Sequence, residues 1–160
     1  MPYKRILIAI DDSNTSKRAA EHGLKLSTQL GASCAIVFVV DTTVISENVY
    51  AEIMPLDQLA GVPLDQLAGP SLDQIAELKK NANDTLNAIA TKFPEHAFER
   101  FMPEEKPSQG IIRIAEDWEA DLIVMGTLGK SGLKRLILGS TAENTIRLSS
   151  VPILVVPPKT

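Results

Sequence analysis

Ile6-Leu7-Ile8-Ala9-Ile10 is a continuous apolar run, rich in β-branched residues, that Asp11 and Asp12 halt. A strand with one wet face would alternate apolar and polar residues, and this run does not. Its pattern is that of a strand covered on both faces, as in parallel sheets. Ser13 to Leu30 follows with Ala20, Leu24, Ser27 and Leu30 at helical spacing, and Gly31 supplies the stop. A second apolar run, Ala35 to Val40, again closes on an aspartate, Asp41.

The same alternation continues along the chain. Ser71 with Gln74 forms a capping-box pattern for a helix reaching about Lys92, with apolar Leu72, Ile75, Leu78, Ala82, Leu86 and Ile89. Ala97 to Met102 is a weaker, more polar strand suited to a sheet edge. Ser108 to Glu119 is a further helix, Leu122 to Met125 a strongly apolar strand, Ser140 to Leu148 a short helix and Pro152 to Val156 a last strand. No two strands are joined by a hairpin turn, so each crossover is helical and the strands are parallel. The expected fold is therefore α/β: a doubly wound five-stranded parallel sheet with helices on both faces. In such folds ligands bind beyond the carboxyl ends of the strands, at the point where strand order reverses. Those ends are Asp11-Asp12, Val40-Asp41 and Gly126-Thr127.

Roughly thirty residues between Asp41 and Ser71 hold no full element. They carry a repeat of period eight: Pro55-Leu56-Asp57-Gln58-Leu59-Ala60-Gly61, then Pro63 to Gly69 in identical order, then Ser71-Leu72-Asp73-Gln74-Ile75-Ala76. Each of the first two copies has Pro where a helical turn starts and Gly where it ends. The chain is thus expected to be one domain over 1–160, with a repeat-bearing surface insert at about 42–71. A lid or partner surface is the alternative reading of that insert.

Composition narrows the function classes. The 160 residues are 44% hydrophobic and 22% charged, as in globular domains. Sixteen Lys+Arg against twenty Asp+Glu give a net charge of −4, which argues against nucleic acid as a partner. Lys4-Arg5 precede an apolar run shorter than a signal-peptide core of roughly 7–15 residues. No stretch nears the roughly 18 apolar residues of a membrane span. The lone Cys34 precludes an internal disulfide and is expected as an apolar filler in a reducing compartment. A cytoplasmic protein is expected.

The stretch most informative about chemistry is Met125-Gly126-Thr127-Leu128-Gly129-Lys130-Ser131-Gly132-Leu133-Lys134-Arg135-Leu136-Ile137-Leu138-Gly139-Ser140-Thr141. Glycines cluster after a strand, hydroxyls stand at a helix start, and Lys130, Lys134 and Arg135 lie between. Glycine lets backbone N–H groups approach an anion, and a helix N-terminus adds unpaired donors and partial positive charge. A phosphate site follows, with Lys130 among its candidate contacts. The Walker A spacing fails, because two residues rather than four separate Gly126 from Gly129-Lys130-Ser131. No G-x-G-x-x-G follows the first strand, so the dinucleotide fingerprint is also missing.

Gly126-x2-Gly129-x9-Gly139-Ser140 instead resembles the G-x2-G-x9-G-[S/T] signature of the ATP-binding subgroup of the universal stress protein family. The resemblance extends from Ile10-Asp11-Asp12-Ser13 to Val151-Pro152-Ile153-Leu154-Val155-Val156. It implies a Rossmann-like, adenine-nucleotide α-hydrolase-like fold that binds ATP, with Mg2+ accompanying the phosphates. It further implies that Asp11 lies near the adenosine, Ala9 and Ile10 line the base pocket, and Val39 or Val40 meets the adenine edge. Met125 and Gly126 then take the ribose and α-phosphate side, and Gly129, Gly139, Ser140 and Thr141 cradle the triphosphate. A homodimer through the strand at 152–157 follows as well, since that apolar edge would otherwise stand unpaired.

Plainer readings stand beside these. Ser140 with Glu143 is also a capping box, one of Asp11 and Asp12 can cap the first helix, and the three basic residues can be a solvated face. His22 and His96 have no evident carboxylate or serine partner in the sequence. No residue stands out as a general base, so catalytic residues are not assigned and efficient turnover is not expected. The leading function is an ATP-binding regulatory or stress-response switch that acts through nucleotide-dependent contacts with an unidentified protein partner. A slow ATPase or nucleotidyl transferase, and a nucleotide-free interaction module, are the alternatives.

Overall fold

The structure, a computed structural model, describes residues 3–42, 72–127 and 138–158. Its elements alternate as the apolar runs require: β1 (Arg5–Ile10), α1 (Asn14–Leu30), β2 (Ser33–Phe38), α2 (Leu72–Lys92), β3 (Glu99–Phe101), α3 (Pro107–Asp117), β4 (Leu122–Gly126), α4 (Ser140–Leu148) and β5 (Ile153–Val156). All strand pairings are parallel, in the order β3-β2-β1-β4-β5. The chain steps from β1 to β2 to β3 in one direction and returns to build β4 and β5 on the other side of β1. The reversal therefore falls between β1 and β4.

Successive residues of β1 serve two cores, which is why its sequence has no polar alternation. Ile6, Ile8 and Ile10 pack with Ala19, Ala20 and Leu24 of α1 and with Ala82, Leu86 and Ile89 of α2. Leu7 and Ala9 face the other way, among Ile111, Ile114 and Ala115 of α3 and Ala142 of α4. Ile6, Leu7 and Ile8 are wholly buried, and each such side chain contributes about 1.5–3 kcal/mol by leaving water. Leu30, expected on the inner face of its helix, is instead exposed in the last turn.

Element ends depart from the sequence expectation for local reasons. Ser13 is the N-cap of α1 rather than its first residue, its hydroxyl accepting the Ser16 N–H at 3.2 Å. Gly31 closes that helix at φ 62°, the left-handed conformation glycine adopts without strain. β2 starts earlier than Ala35 and ends at Phe38, because its register with β1 runs from Arg5↔Ser33 to Ile10↔Phe38 and β1 turns away beyond Ile10. Val39 and Val40 consequently project past the paired sheet, Val40 keeping only a bridge to Glu104. β3 shrinks to Glu99–Phe101 and lies at a sheet edge, as its polar sequence predicts. α3 begins on Pro107 rather than Ser108 and ends at Asp117, since Glu119 takes φ 53° and breaks the helix. β4 adds Gly126 to the expected run, and β5 starts at Ile153 rather than Pro152. Of the insert at about 42–71, residues 43–71 lie outside the described residues. Among the described residues no helix is long and apolar enough to cross a membrane.

Candidate functional site

A cavity of about 440 Å3 opens at the carboxyl ends of β1, β2 and β4, within the roughly 300–1,000 Å3 range of small-molecule sites. Its walls come from Ala9, Ile10 and Asp11 at the end of β1, and from Phe38 to Asp41 after β2. Met125 and Gly126 of β4 and Gly139 to Ala142 at the start of α4 close the far side. The sequence-predicted Ala9, Ile10, Asp11, Val39, Val40, Met125, Gly126, Gly139, Ser140 and Thr141 thus meet around one space. Gly129 and Lys130 lie outside the described residues, as do Lys134 and Arg135.

The two sides of this space differ in chemistry. Near β2 the lining is apolar, from Ile10, Phe38, Val39, Val40, Leu78 and Ile111. Near α4 it is made of backbone and hydroxyls. The N-cap of α4 is Gly139, not Ser140, and no side chain caps the helix. The expected Ser140–Glu143 capping box is therefore absent: Ser140 already sits at the first helical position, one too late to cap. Gly139 N–H donates to Thr127 O at 2.8 Å, and Glu143 N–H donates to Gly139 O at 2.9 Å. The amides of Ser140, Thr141 and Ala142 come before the first intrahelical bond, on three residues that line the cavity. Together they carry the positive end of the helix dipole.

Asp11 is held at the mouth by the turn into α1. Its Oδ1 accepts Ser13 N–H at 2.9 Å, and its backbone oxygen accepts the Ser16 hydroxyl at 2.5 Å. The cap of α1 is Ser13, so neither Asp11 nor Asp12 has that task, and both line the cavity. Gly126 has a packing role of its own. A Cβ there would stand 3.2 Å from the carbonyl carbon and from Cβ of Thr15, so glycine lets the first turn of α1 close against β4. Val40 N–H is engaged with Pro103 O at 2.8 Å, so Val40 can offer a ligand only its carbonyl.

Among the described lining residues, the charged ones are Asp11, Asp12 and Asp41. A polyanion in this space needs counter-charge beyond the helix dipole, and Lys130, Lys134 and Arg135 are the nearby candidates in sequence. Among the described residues no group of three or more His, Cys, Asp or Glu could hold a metal ion. A Mg2+ here would accordingly rest mainly on phosphate oxygens, the mode it favours.

Sequence reasoning did not single out Ser16, Phe38, Leu78, Asn81, Pro107, Ile111 or Ala142, which also line the cavity. Pro107 and Ile111 open α3, and Leu78 and Asn81 stand one turn apart on α2; only packing brings these helices to the strand ends. The histidines lie elsewhere. His22 is exposed on α1, and His96 Nδ1 is 2.9 Å from Thr28 Oγ1 at the other end of the sheet. Cys34 is buried on β2 away from the cavity, and loss of hydration pushes its thiol up to about 11 against an opposing Ser27 contact.

A profile of the universal stress protein family matches residues 2–157. The universal stress protein MJ0531 of Methanocaldococcus jannaschii is 34% identical over 96% of this chain and 82% of its own length. MJ0577 of the same organism is 30% identical, over 96% of this chain and 94% of its own. Its solved structure superposes with a TM-score of 0.74, covering 100% of this chain and 99% of that one. A universal stress protein of Archaeoglobus fulgidus, solved in complex with dAMP, shares the fold at a TM-score of 0.61 and 18% identity, over 98% and 99% of the two chains.

Proposed function

Because the chain belongs to the universal stress protein family, we propose that it binds ATP in the cavity at the β1–β4 reversal and acts as a stress-response switch. One observation carries the proposal: the uncapped start of α4 places three first-turn residues on the lining of an open cavity that also has an apolar wall. A purine suits the apolar wall near Val39 and Val40, and phosphates suit the amides of Ser140, Thr141 and Ala142. The Archaeoglobus fulgidus relative in complex with dAMP supports an adenine nucleotide as the ligand class. The resemblance stated above favours ATP within that class.

The acidic lining then gives Mg2+ and the basic residues of 128–138 a definite task, neutralising a triphosphate that Asp11, Asp12 and Asp41 would otherwise repel. Nucleotide occupancy would alter contacts with a protein partner rather than drive rapid turnover. Edge pairing through β5 would make the protein a homodimer, and its buried reduced thiol suits the cytoplasm. Calorimetric titration with ATP and Mg2+ tests the central claim. Saturable heat at sub-millimolar nucleotide is expected, and a flat thermogram overturns the reading. Single-turnover release of phosphate or AMP, lost in Asp11→Ala, would favour the slow-enzyme alternative.

A further inference from the structure

We propose that Asn81 on α2 contacts the 6-amino edge of the purine and adds to the base preference of the site; this rests on the nucleotide reading above. Asn81 lines the cavity together with Leu78, three residues earlier on the same helix. Leu78 packs against the core cluster that includes Phe38 and Val40 and lines the cavity with them.

Two further contacts hold the turn there. Lys79 Nζ lies 2.6 Å from Glu104 Oε1. Glu104 in turn forms the parallel bridge to Val40. Helix, loop and strand end are thereby linked around the turn that carries Asn81.

The chemistry of the lining singles out this side chain. The apolar wall offers a base only backbone, the Val40 carbonyl among it, and no hydrogen-bonding side chain. Other polar groups of the lining are the aspartates at the ends of β1 and β2 and the hydroxyls and backbone amides at the start of α4, suited to sugar, phosphate and metal. Asn81 alone among the described lining residues carries an amide, which offers an acceptor and a donor side by side. Adenine presents the matching pair along its edge, a 6-amino donor next to a ring-nitrogen acceptor, which an Asn amide pairs in bidentate fashion. Oδ1 accepts from the 6-amino group, and Nδ2 donates to the neighbouring ring nitrogen. The amide is exposed in this structure, so its desolvation falls due only when a base covers it.

The test is a double cycle between the side chain and the amino group it is assigned to read. Affinities of ATP and of purine riboside triphosphate, which lacks the 6-amino group, are measured with Mg2+ for the wild type, Asn81→Leu and Asn81→Ala. Wild type is expected to prefer ATP by about tenfold, the scale of one hydrogen bond, and both variants to lose most of that preference. Asn81 is on the helix surface, so unchanged thermal midpoints are expected for both variants. An ATP preference that persists undiminished in the variants overturns the assignment, as does a wild type that binds both ligands equally; in either case nucleotide binding itself stands. A wild type that binds neither ligand overturns the nucleotide reading and this inference with it.

Discussion

The amide of Gly139 donates to the carbonyl oxygen of Thr127 at 2.8 Å, and Thr127 N–H donates to Val156 O at 3.2 Å. Thr127 and Gly139 are therefore held together, and Thr127 ties the pair to both β4 and β5. This contact engages the Gly139 amide and aims the next three along the start of α4. Of the residues that the glycine signature marks for phosphate, Gly139 acts by position: it brings no side chain to the place where a cap would otherwise sit.

That role predicts opposite effects on stability and binding. Gly139 has φ −63° and ψ 150°, extended values open to any residue and usual for an N-cap. In Gly139→Asp the new carboxylate would accept the first-turn amides itself. We expect a gain of a few tenths of a kcal/mol in urea unfolding, with ATP affinity reduced at least tenfold by competition for the same donors and by charge repulsion. A loss of stability, or unchanged affinity, contradicts this picture.

Gly126 should respond differently. Its missing Cβ is what lets Thr15 approach, and the atoms opposing a new methyl are mostly backbone. Gly126→Ala is expected to cost about 1–3 kcal/mol by overpacking. ATP affinity should fall along with the thermal midpoint, because the same shift moves the β4 end of the cavity. An unchanged melting curve would show that α1 yields freely there.

Cys34 gives the pH dependence a sign. Its folded value, raised to about 11 from the ordinary 9.0 by burial, means the fold favours the neutral thiol. This contribution is complete below pH 9 and disappears as pH rises toward 11. Unfolding free energy measured between those values should fall more steeply in the wild type than in Cys34→Ala. At pH 8 the native thiol should react with a disulfide reagent only as fast as the protein opens.

The outer strand supplies the test of assembly. Leu154 is 41% exposed on β5, with Leu148 at 60% and Ile146 at 43% on the preceding helix. Light scattering at micromolar concentration is expected to give the mass of a dimer, and Leu154→Glu that of a monomer with an unchanged circular dichroism spectrum. A monomeric wild type would remove the proposed dimer.

Much of the cavity was legible because it lies at strand ends. Asp11, Val39 and Val40, Met125 and Gly126 each end or follow an apolar run, and a parallel sheet gathers such ends on one edge. The helix start was legible from Gly139-Ser140-Thr141, although the wrong residue was expected to cap it. Both patterns put a hydroxyl near an amide, and only the backbone geometry distinguishes the N-cap from the first helical position. Leu78, Asn81, Pro107 and Ile111 were illegible as lining. Their spacing reports which face of a helix is apolar, not which strand end that helix will overhang.

Periodicity alone thus determined the alternation of strands and helices and the parallel sheet, because burying both faces of a strand leaves an unmistakable record in successive residues. Tertiary structure decided the strand order, the projection of Val39 and Val40 past the paired sheet, and the arrival of Asn81 at the same cavity. Those outcomes depend on pairing and packing between segments far apart in the chain, and no local pattern of residues encodes which distant partner a segment will meet.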